Sequence, residues 1–144
     1  AIGDYRQVLQ MRPDDPDALT SLAGALASKK QVVEAIAYYR RALEARPDMP
    51  AALVDLAWIL ATSERADLRA PDEAVRLAER VAELTGRRNA IVLETLGVAY
   101  FAAGRTRDAI AAAQAALDLA SKDGPAELAN ALLRRLEVYR QGLH

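Results

Sequence analysis

The segment Leu93–Leu117, LETLGVAYFAAGRTRDAIAAAQAAL, decides the fold of this chain. Its first half carries apolar residues or glycine at i, i+3, i+4 and i+7, which is the spacing of one face of an α-helix. These residues are Leu93, Leu96, Gly97 and Tyr100. Glycine commonly ends a helix because it adopts the left-handed conformation without steric cost. We therefore predict that this helix ends at Gly104.

A second helix is predicted from about Thr106, with alanines on one face. Ala109, Ala113 and Ala116 share that face. Side chains this small let two helices approach closely, and Gly97 leaves the same room on the first helix. The segment thus predicts two helices joined as a hairpin.

Earlier parts of the chain repeat this organisation. A shift of 34 residues superimposes Ala1–Met11 on Ala35–Ala45. The shift pairs Ala1 with Ala35, Tyr5 with Tyr39, Arg6 with Arg40, Leu9 with Leu43, and Arg12-Pro13-Asp14 with Arg46-Pro47-Asp48. So many identities at one spacing indicate an internal repeat.

The pattern Leu96-Gly97-x-x-Tyr100, followed by Gly104, Ala109 and Ala116, resembles the tetratricopeptide repeat (TPR) hairpin. The resemblance implies an all-α fold, namely a right-handed α-solenoid of antiparallel helix hairpins. The composition also favours an all-α chain, because alanine and leucine dominate and β-branched runs are absent.

We expect a single TPR domain that represents the C-terminal repeats of a larger bacterial TPR protein, because the sequence begins, at Ala1, within a predicted helix. A final amphipathic helix without a partner is how such arrays cover their last apolar face, so we expect the natural C-terminus near His144. The expected parts are residues 1–15 (second helix of a truncated repeat), 16–49 (repeat), 50–89 (repeat with an inserted loop at 63–70), 90–121 (repeat) and 125–141 (capping helix).

The second half, Leu56–Gly142, is also similar to the closing segment of certain bacterial multi-repeat proteins. The similarity is carried by Trp58–Thr62, by the loop Ser63–Ala70 and by the helix Ala74–Val81. Some proteins with such endings have a membrane or glycosyltransferase-like portion upstream.

One hairpin departs from the glycine pattern, because Lys30 stands where Gly104 stands in the later hairpin. A residue with a side chain loses about 1–2 kcal/mol in the left-handed conformation. We therefore expect this turn to differ slightly from the turn at Gly104.

Composition limits the possible functions. With 52% apolar and 27% charged residues, the chain is predicted to be folded rather than disordered. A net charge of −1 without a basic cluster argues against nucleic acid as a partner. No apolar run is long enough to insert into a membrane. The cytoplasm is the default expectation for its location, with the periplasm left open.

No arrangement of residues predicts an enzyme, a metal site or a cofactor. The chain has no cysteine and a single histidine, His144, which makes a zinc site implausible. Phosphate-binding glycine loops are also absent from the sequence. Acidic pairs such as Asp72-Glu73 stand at predicted helix starts, where capping explains them.

The TPR resemblance implies a concave groove, lined by the first helix of each repeat, that binds an extended or helical peptide. Nine positions between the core positions are predicted to bind the ligand. They are Asp17, Thr20 and Gly24 in the first repeat, Val54, Asp55 and Trp58 in the second, and Glu94, Val98 and Phe101 in the third.

The chemistry of these positions indicates the type of peptide. Some relatives clamp a terminal carboxylate with cationic residues at such positions, whereas this sequence has none there, which disfavours an acidic C-terminal tail. An apolar floor rimmed by Asp17, Asp55 and Glu94 suits apolar side chains with basic flanks. Whether Trp58 and Phe101 lie in the groove or in the core is left open.

The leading hypothesis is therefore a protein–protein interaction scaffold. A structural alternative is self-association, since Ala1–Met11 carries an apolar face, formed by Ile2, Tyr5, Val8 and Leu9, without its partner helix. This face predicts a possible homodimer. A third hypothesis is a docking arm of an upstream, glycosyltransferase-like enzyme.

The register predicts that Ala35→Leu overpacks the contact between paired helices and lowers the free energy of unfolding by about 1–3 kcal/mol. Ser28→Ala, at a groove-facing position of the preceding helix, should change the free energy of unfolding very little. Urea denaturation of both variants measures the difference, and equal midpoints would show that the register is wrong.

Overall fold

The computed structural model describes residues 1–143, and His144, to which the sequence assigns no metal or catalytic role, lies outside them. The described part consists of helices and turns. The α-helices are α1 (Ile2–Met11), α2 (Pro16–Ser28), α3 (Val32–Ala45), α4 (Pro50–Thr62), α5 (Pro71–Leu84), α6 (Ala90–Ala102), α7 (Thr106–Asp123) and α8 (Ala126–Gln141). A short 3-10 helix spans Ala66–Leu68. Within residues 1–143, no helix combines the length and the apolar character that a bilayer crossing requires.

The helices pack as successive hairpins, with α2 against α3, α4 against α5 and α6 against α7. Neighbouring hairpins stack through the contacts of α3 with α4 and of α5 with α6, and α4 also packs directly on α6. The predicted all-α helical-repeat fold is confirmed.

The core has mainly leucines on the first helices of the hairpins and mainly alanines on the second helices, with the buried Ile36 and Tyr39 of α3 among the exceptions. Leu22, Leu56 and Leu96 are almost fully buried on the first helices. They meet alanines on the second helices, among them Ala35 and Ala109, which are fully buried. At Gly97 the two helices are so close that a Cβ atom would lie 3.3 Å from the carbonyl oxygen of Ala109. This contact explains the glycine.

The turns at Lys30 and Gly104 have the same conformation, so the expectation that they differ is wrong. Both residues have a positive φ, 63° and 79° respectively. In one turn the Gln31 N–H donates to the carbonyl of Leu26 at 2.9 Å, and in the other the Arg105 N–H donates to the corresponding carbonyl at 2.8 Å. These hydrogen bonds close the hairpin, and they hold Lys30 in a conformation that costs about 1–2 kcal/mol.

Helix starts carry recognisable caps. The Asp15 carboxylate accepts hydrogen bonds from the backbone N–H groups of Asp17 and Ala18 at 3.0 and 3.1 Å, as its position before Pro16 predicts. Asn89 caps α6 in the same way. Such caps satisfy backbone donors that the helix itself leaves free.

The segment between α4 and α5 is tied to the hairpin that it joins. The backbone N–H of Ala70 donates to the carbonyl of Leu60 at 2.9 Å, and Arg69 Nε donates to the carbonyl of Ser63 at 2.7 Å. Leu68, from the 3-10 helix, packs against the core.

The two terminal helices both find a partner. Helix α1 packs on α2, and Ile2, Tyr5 and Leu9 are partly buried against the core. Helix α2 thus covers part of the apolar face of α1, but no residue of α1 is fully buried and Val8 remains 38% exposed. At the other end α8 packs on α7 and buries Leu132, Leu136 and Tyr139.

The packing at the two mid-helix glycines predicts opposite effects of alanine. Gly97→Ala pushes a methyl group against the α7 backbone, and the strain should outweigh the gain in helix propensity, lowering the free energy of unfolding by about 1 kcal/mol. Gly24→Ala meets only the Tyr39 hydroxyl, at an ordinary 3.6 Å, and should raise it by about 0.5–1 kcal/mol. Urea denaturation measures both, and shifts of the same sign would contradict the close contact at Gly97.

Candidate functional site

A cavity of about 470 Å³ opens between residues of α2, α3, α4 and α6, and we call it the Trp58 pocket. It brings together five of the nine positions that the sequence predicts for ligand binding. These are Gly24, Val54, Asp55, Trp58 and Glu94. The other residues of the Trp58 pocket are Ala27, Tyr39, Ile59, Ile91 and Thr95.

The remaining four predicted positions lie outside the Trp58 pocket. Asp17 is exposed in the first turn of α2, with its carboxylate 3.7 Å from the Arg46 guanidinium. Thr20 Oγ1 donates a hydrogen bond to the carbonyl of Pro16. Val98 and Phe101 line a second cavity, described below.

The floor of the Trp58 pocket is apolar and only partly covered. Val54, Trp58 and Ile59 are partly buried against the core, and Ile91 at the edge is 57% exposed. Trp58 thus has one part packed against the hairpins and another part facing the cavity. This surface suits contact with apolar side chains.

One polar pair fixes the wall between α3 and α4. The buried Tyr39 hydroxyl donates a hydrogen bond to Asp55 Oδ2 at 3.1 Å. Partial burial raises the pKa of the Asp55 carboxyl, and the hydrogen bond from Tyr39 opposes that rise. Burial, followed by the nearby Asp55 charge, also raises the pKa of Tyr39 above its ordinary value. The tyrosine therefore stays a donor and orients the carboxylate.

A cationic side chain of the C-terminal helix α8 lies next to this site. Arg135 Nε donates a hydrogen bond to Glu94 Oε2 at 3.1 Å, and its guanidinium carbon lies 5.2 Å from the centre of the Trp58 ring. Guanidinium over the face of a tryptophan is a favourable electrostatic contact. Arg135 therefore connects α8 with α4 and α6.

The sequence reasoning missed Arg135, because it treated α8 only as a cap and looked for cations on the first helices of the three repeats. Those positions indeed hold no cation. The one available signal was the Arg134-Arg135 pair in the middle of the final amphipathic helix.

A second cavity, of about 450 Å³, lies between the ends of α4 and α6 and the helix α8, and we call it the Phe101 pocket. Phe101 is 37% exposed and its ring centre lies 4.7 Å from that of Tyr139. Val98 is only 7% exposed and forms the base. The other lining residues are Ala61, Thr62, Ala102, Ala131, Arg134, Arg135 and Val138.

The three carboxylates that the sequence predicts at the edge of the groove all lie close to polar or charged groups of the protein itself. Asp55 accepts a hydrogen bond from Tyr39, Glu94 pairs with Arg135, and Asp17 lies close to Arg46. Among residues 1–143 no group of three or more His, Cys, Asp or Glu side chains is placed to hold a metal ion. The two pockets therefore offer apolar contact and guanidinium groups.

The Arg135–Glu94 pair should contribute to stability because it is largely shielded from water, with side-chain exposures of 34% and 13%. A double-mutant cycle with Arg135→Gln and Glu94→Gln, followed by urea denaturation, should give a coupling energy of about 1–2 kcal/mol. The exposed pair Arg87–Glu83, treated in the same way, should give less than about 0.5 kcal/mol. Equal coupling in the two pairs would contradict the shielded position of Arg135.

Known structures share this arrangement of helices. MamA (residues 41 to the end) from Desulfovibrio magneticus RS-1 superimposes with a TM-score of 0.74 and 19% identity, covering 99% of this chain and 77% of that one. The Sgt2 TPR domain from Aspergillus fumigatus superimposes with a TM-score of 0.71 and 22% identity, covering 90% of this chain and 79% of that one. MamA AMB-1 superimposes with a TM-score of 0.71 and 24% identity, covering 99% of this chain and 81% of that one. At these identities the likeness shows the fold.

No curated protein sequence matches the chain significantly. The family model of the tetratricopeptide repeat, by contrast, matches three overlapping segments, residues 1–50, 34–68 and 60–124. Because these segments together span most of the sequence, this chain belongs to the tetratricopeptide repeat family, whose members are protein–protein interaction modules.

Proposed function

We propose that this chain binds a peptide segment or helix of a partner protein in the Trp58 pocket. The observation that carries the proposal is a partly exposed tryptophan at the bottom of an apolar cavity that α2, α3, α4 and α6 line together. An aromatic side chain that is held rigidly, yet reachable, is a typical anchor of a protein interface.

The size and chemistry of the pocket support this function. A volume of about 470 Å³ accommodates one or two apolar side chains. The polar groups at its border, Asp55 and Glu94, are already oriented by Tyr39 and Arg135. Binding there costs little reordering of the protein, which favours affinity.

Self-association through Ala1–Met11 has less support. Helix α2 covers Ile2, Tyr5 and Leu9 in part, and Val8 and Met11 are the large exposed hydrophobic residues on that helix. A stable dimer commonly buries roughly 800 Å² on each partner, which is far more than two side chains provide. The binding of a different protein is the better supported function.

Selection of random 12-residue peptides by display tests the proposal. Val54→Glu places a charge in the apolar floor and should weaken the binding of the selected peptides at least about 10-fold, because the carboxylate loses water when the pocket fills. Position 54 suits this purpose better than position 98, where the side chain is 7% exposed and a carboxylate would destabilise the fold.

Leu84→Glu is the matched control, since Leu84 is 44% exposed on α5 and lines neither named pocket. Circular dichroism confirms that both variants are folded. Peptides that bind the wild type and both variants equally well would place the binding surface elsewhere, and a wild type that selects no peptide would refute the proposed function.

A further inference from the structure

We propose that the Phe101 pocket is a second subsite for the same peptide, which takes an apolar side chain followed by an aspartate or glutamate that binds Arg134. The inference rests on the proposed function and deepens it, because it states the charge of the partner segment. The proposed peptide carries an acidic residue, whereas the sequence suggests a peptide with basic flanks.

The apolar part of the subsite is a surface that α8 and α6 leave uncovered. Phe101 is 37% and Val138 52% exposed, although both are large hydrophobic residues, and they border the same cavity above the buried Val98. An apolar side chain of a ligand would remove both from water. At roughly 25 cal/mol per Å² this burial favours binding.

The charge at this pocket is positive and one cation is available. Arg134 is exposed, lines the cavity, and takes part in no ion pair within residues 1–143. Its neighbour Arg135 is already paired with Glu94. Arg134 can therefore form a two-pronged contact with a carboxylate without breaking an internal interaction.

A second polar side chain of the Phe101 pocket lacks a hydrogen-bond partner within residues 1–143. The Tyr139 hydroxyl is buried and has no hydrogen-bond partner in the described part of the chain. Such groups are uncommon in folded proteins. Burial raises the pKa of Tyr139, and the neighbouring Arg135 opposes that rise without reversing it, so the hydroxyl keeps its proton.

The two pockets are adjacent, which is why one peptide can occupy both. Arg135 lines the Phe101 pocket and also lies over the ring of Trp58, a residue of the other pocket. We assign this carboxylate to an aspartate or glutamate side chain, and the amidated peptide used below tests whether a chain terminus serves instead. A segment that crosses Arg135 would place its acidic residue next to α8.

The test repeats the display selection with Arg134→Glu as the bait. The wild type should enrich aspartate and glutamate next to an apolar residue, and Arg134→Glu should enrich lysine and arginine at that place. Arg140→Glu is the matched control, because Arg140 is exposed on the same helix and does not line the pocket. It should select the same acidic peptides as the wild type.

An amidated synthetic peptide with the selected sequence gives the magnitude. Arg134→Gln should weaken its binding about 3–10-fold, as expected for one partly exposed charge pair, and Arg140→Gln should leave it unchanged. Acidic residues selected equally by the wild type and by Arg134→Glu would overturn the inference, as would binding that requires a free terminal carboxylate.

Failure of this inference is distinguishable from failure of the proposed function. Suppose that a selected peptide binds Val54→Glu more weakly than the wild type and yet binds Arg134→Glu as well as the wild type. That result would support the Trp58 pocket as a binding site and would refute the acidic subsite. A wild type that selects no peptide would refute both.

Discussion

The close contact between the two helices of each hairpin is the constraint on which the rest of the structure depends. Where Gly97 meets the backbone of Ala109, α6 and α7 are so close that a Cβ atom on α6 would press on the α7 carbonyl oxygen. The second helices accordingly present mainly alanines to the buried leucines of the first helices. The first helices pack side by side, and the residues between their core positions form the surface that a ligand meets.

This arrangement explains why an aromatic residue can be partly exposed beside a complete core. The core of the hairpins is complete without the outer part of Trp58, because Leu53, Leu56 and Leu60 fill the interior of α4. Trp58 is instead held by Arg135 from α8. A pocket whose walls are fixed by internal pairs, Tyr39 with Asp55 and Arg135 with Glu94, keeps its shape before a ligand arrives.

The fold was predictable from the sequence because its signals are local. The spacing of leucines and alanines, the proline and aspartate helix starts, and the glycine turn all act within a few residues. The Lys30 turn shows the limit of this reasoning: the hydrogen bonds that close a hairpin determine the backbone conformation, and they outweigh the cost of a side chain there.

The candidate site was only partly predictable, since its electrostatics depend on distant parts of the chain. Five of the nine positions line the Trp58 pocket. Asp17 and Thr20 are too close to the start of α2 to reach it. Arg135 lies 41 residues from Glu94, and no local pattern announces that pairing, because it arises only when α8 packs on the last hairpin.

Amide chemical shifts of the isotope-labelled protein, recorded during titration with a display-selected peptide, test the central claim most directly. The account predicts that the largest shifts fall in the middle of α4, along α6 and in the middle of α8, where the two pockets lie. Shifts confined to α3, α5 and α7 would contradict it, because those helices would then carry the binding surface.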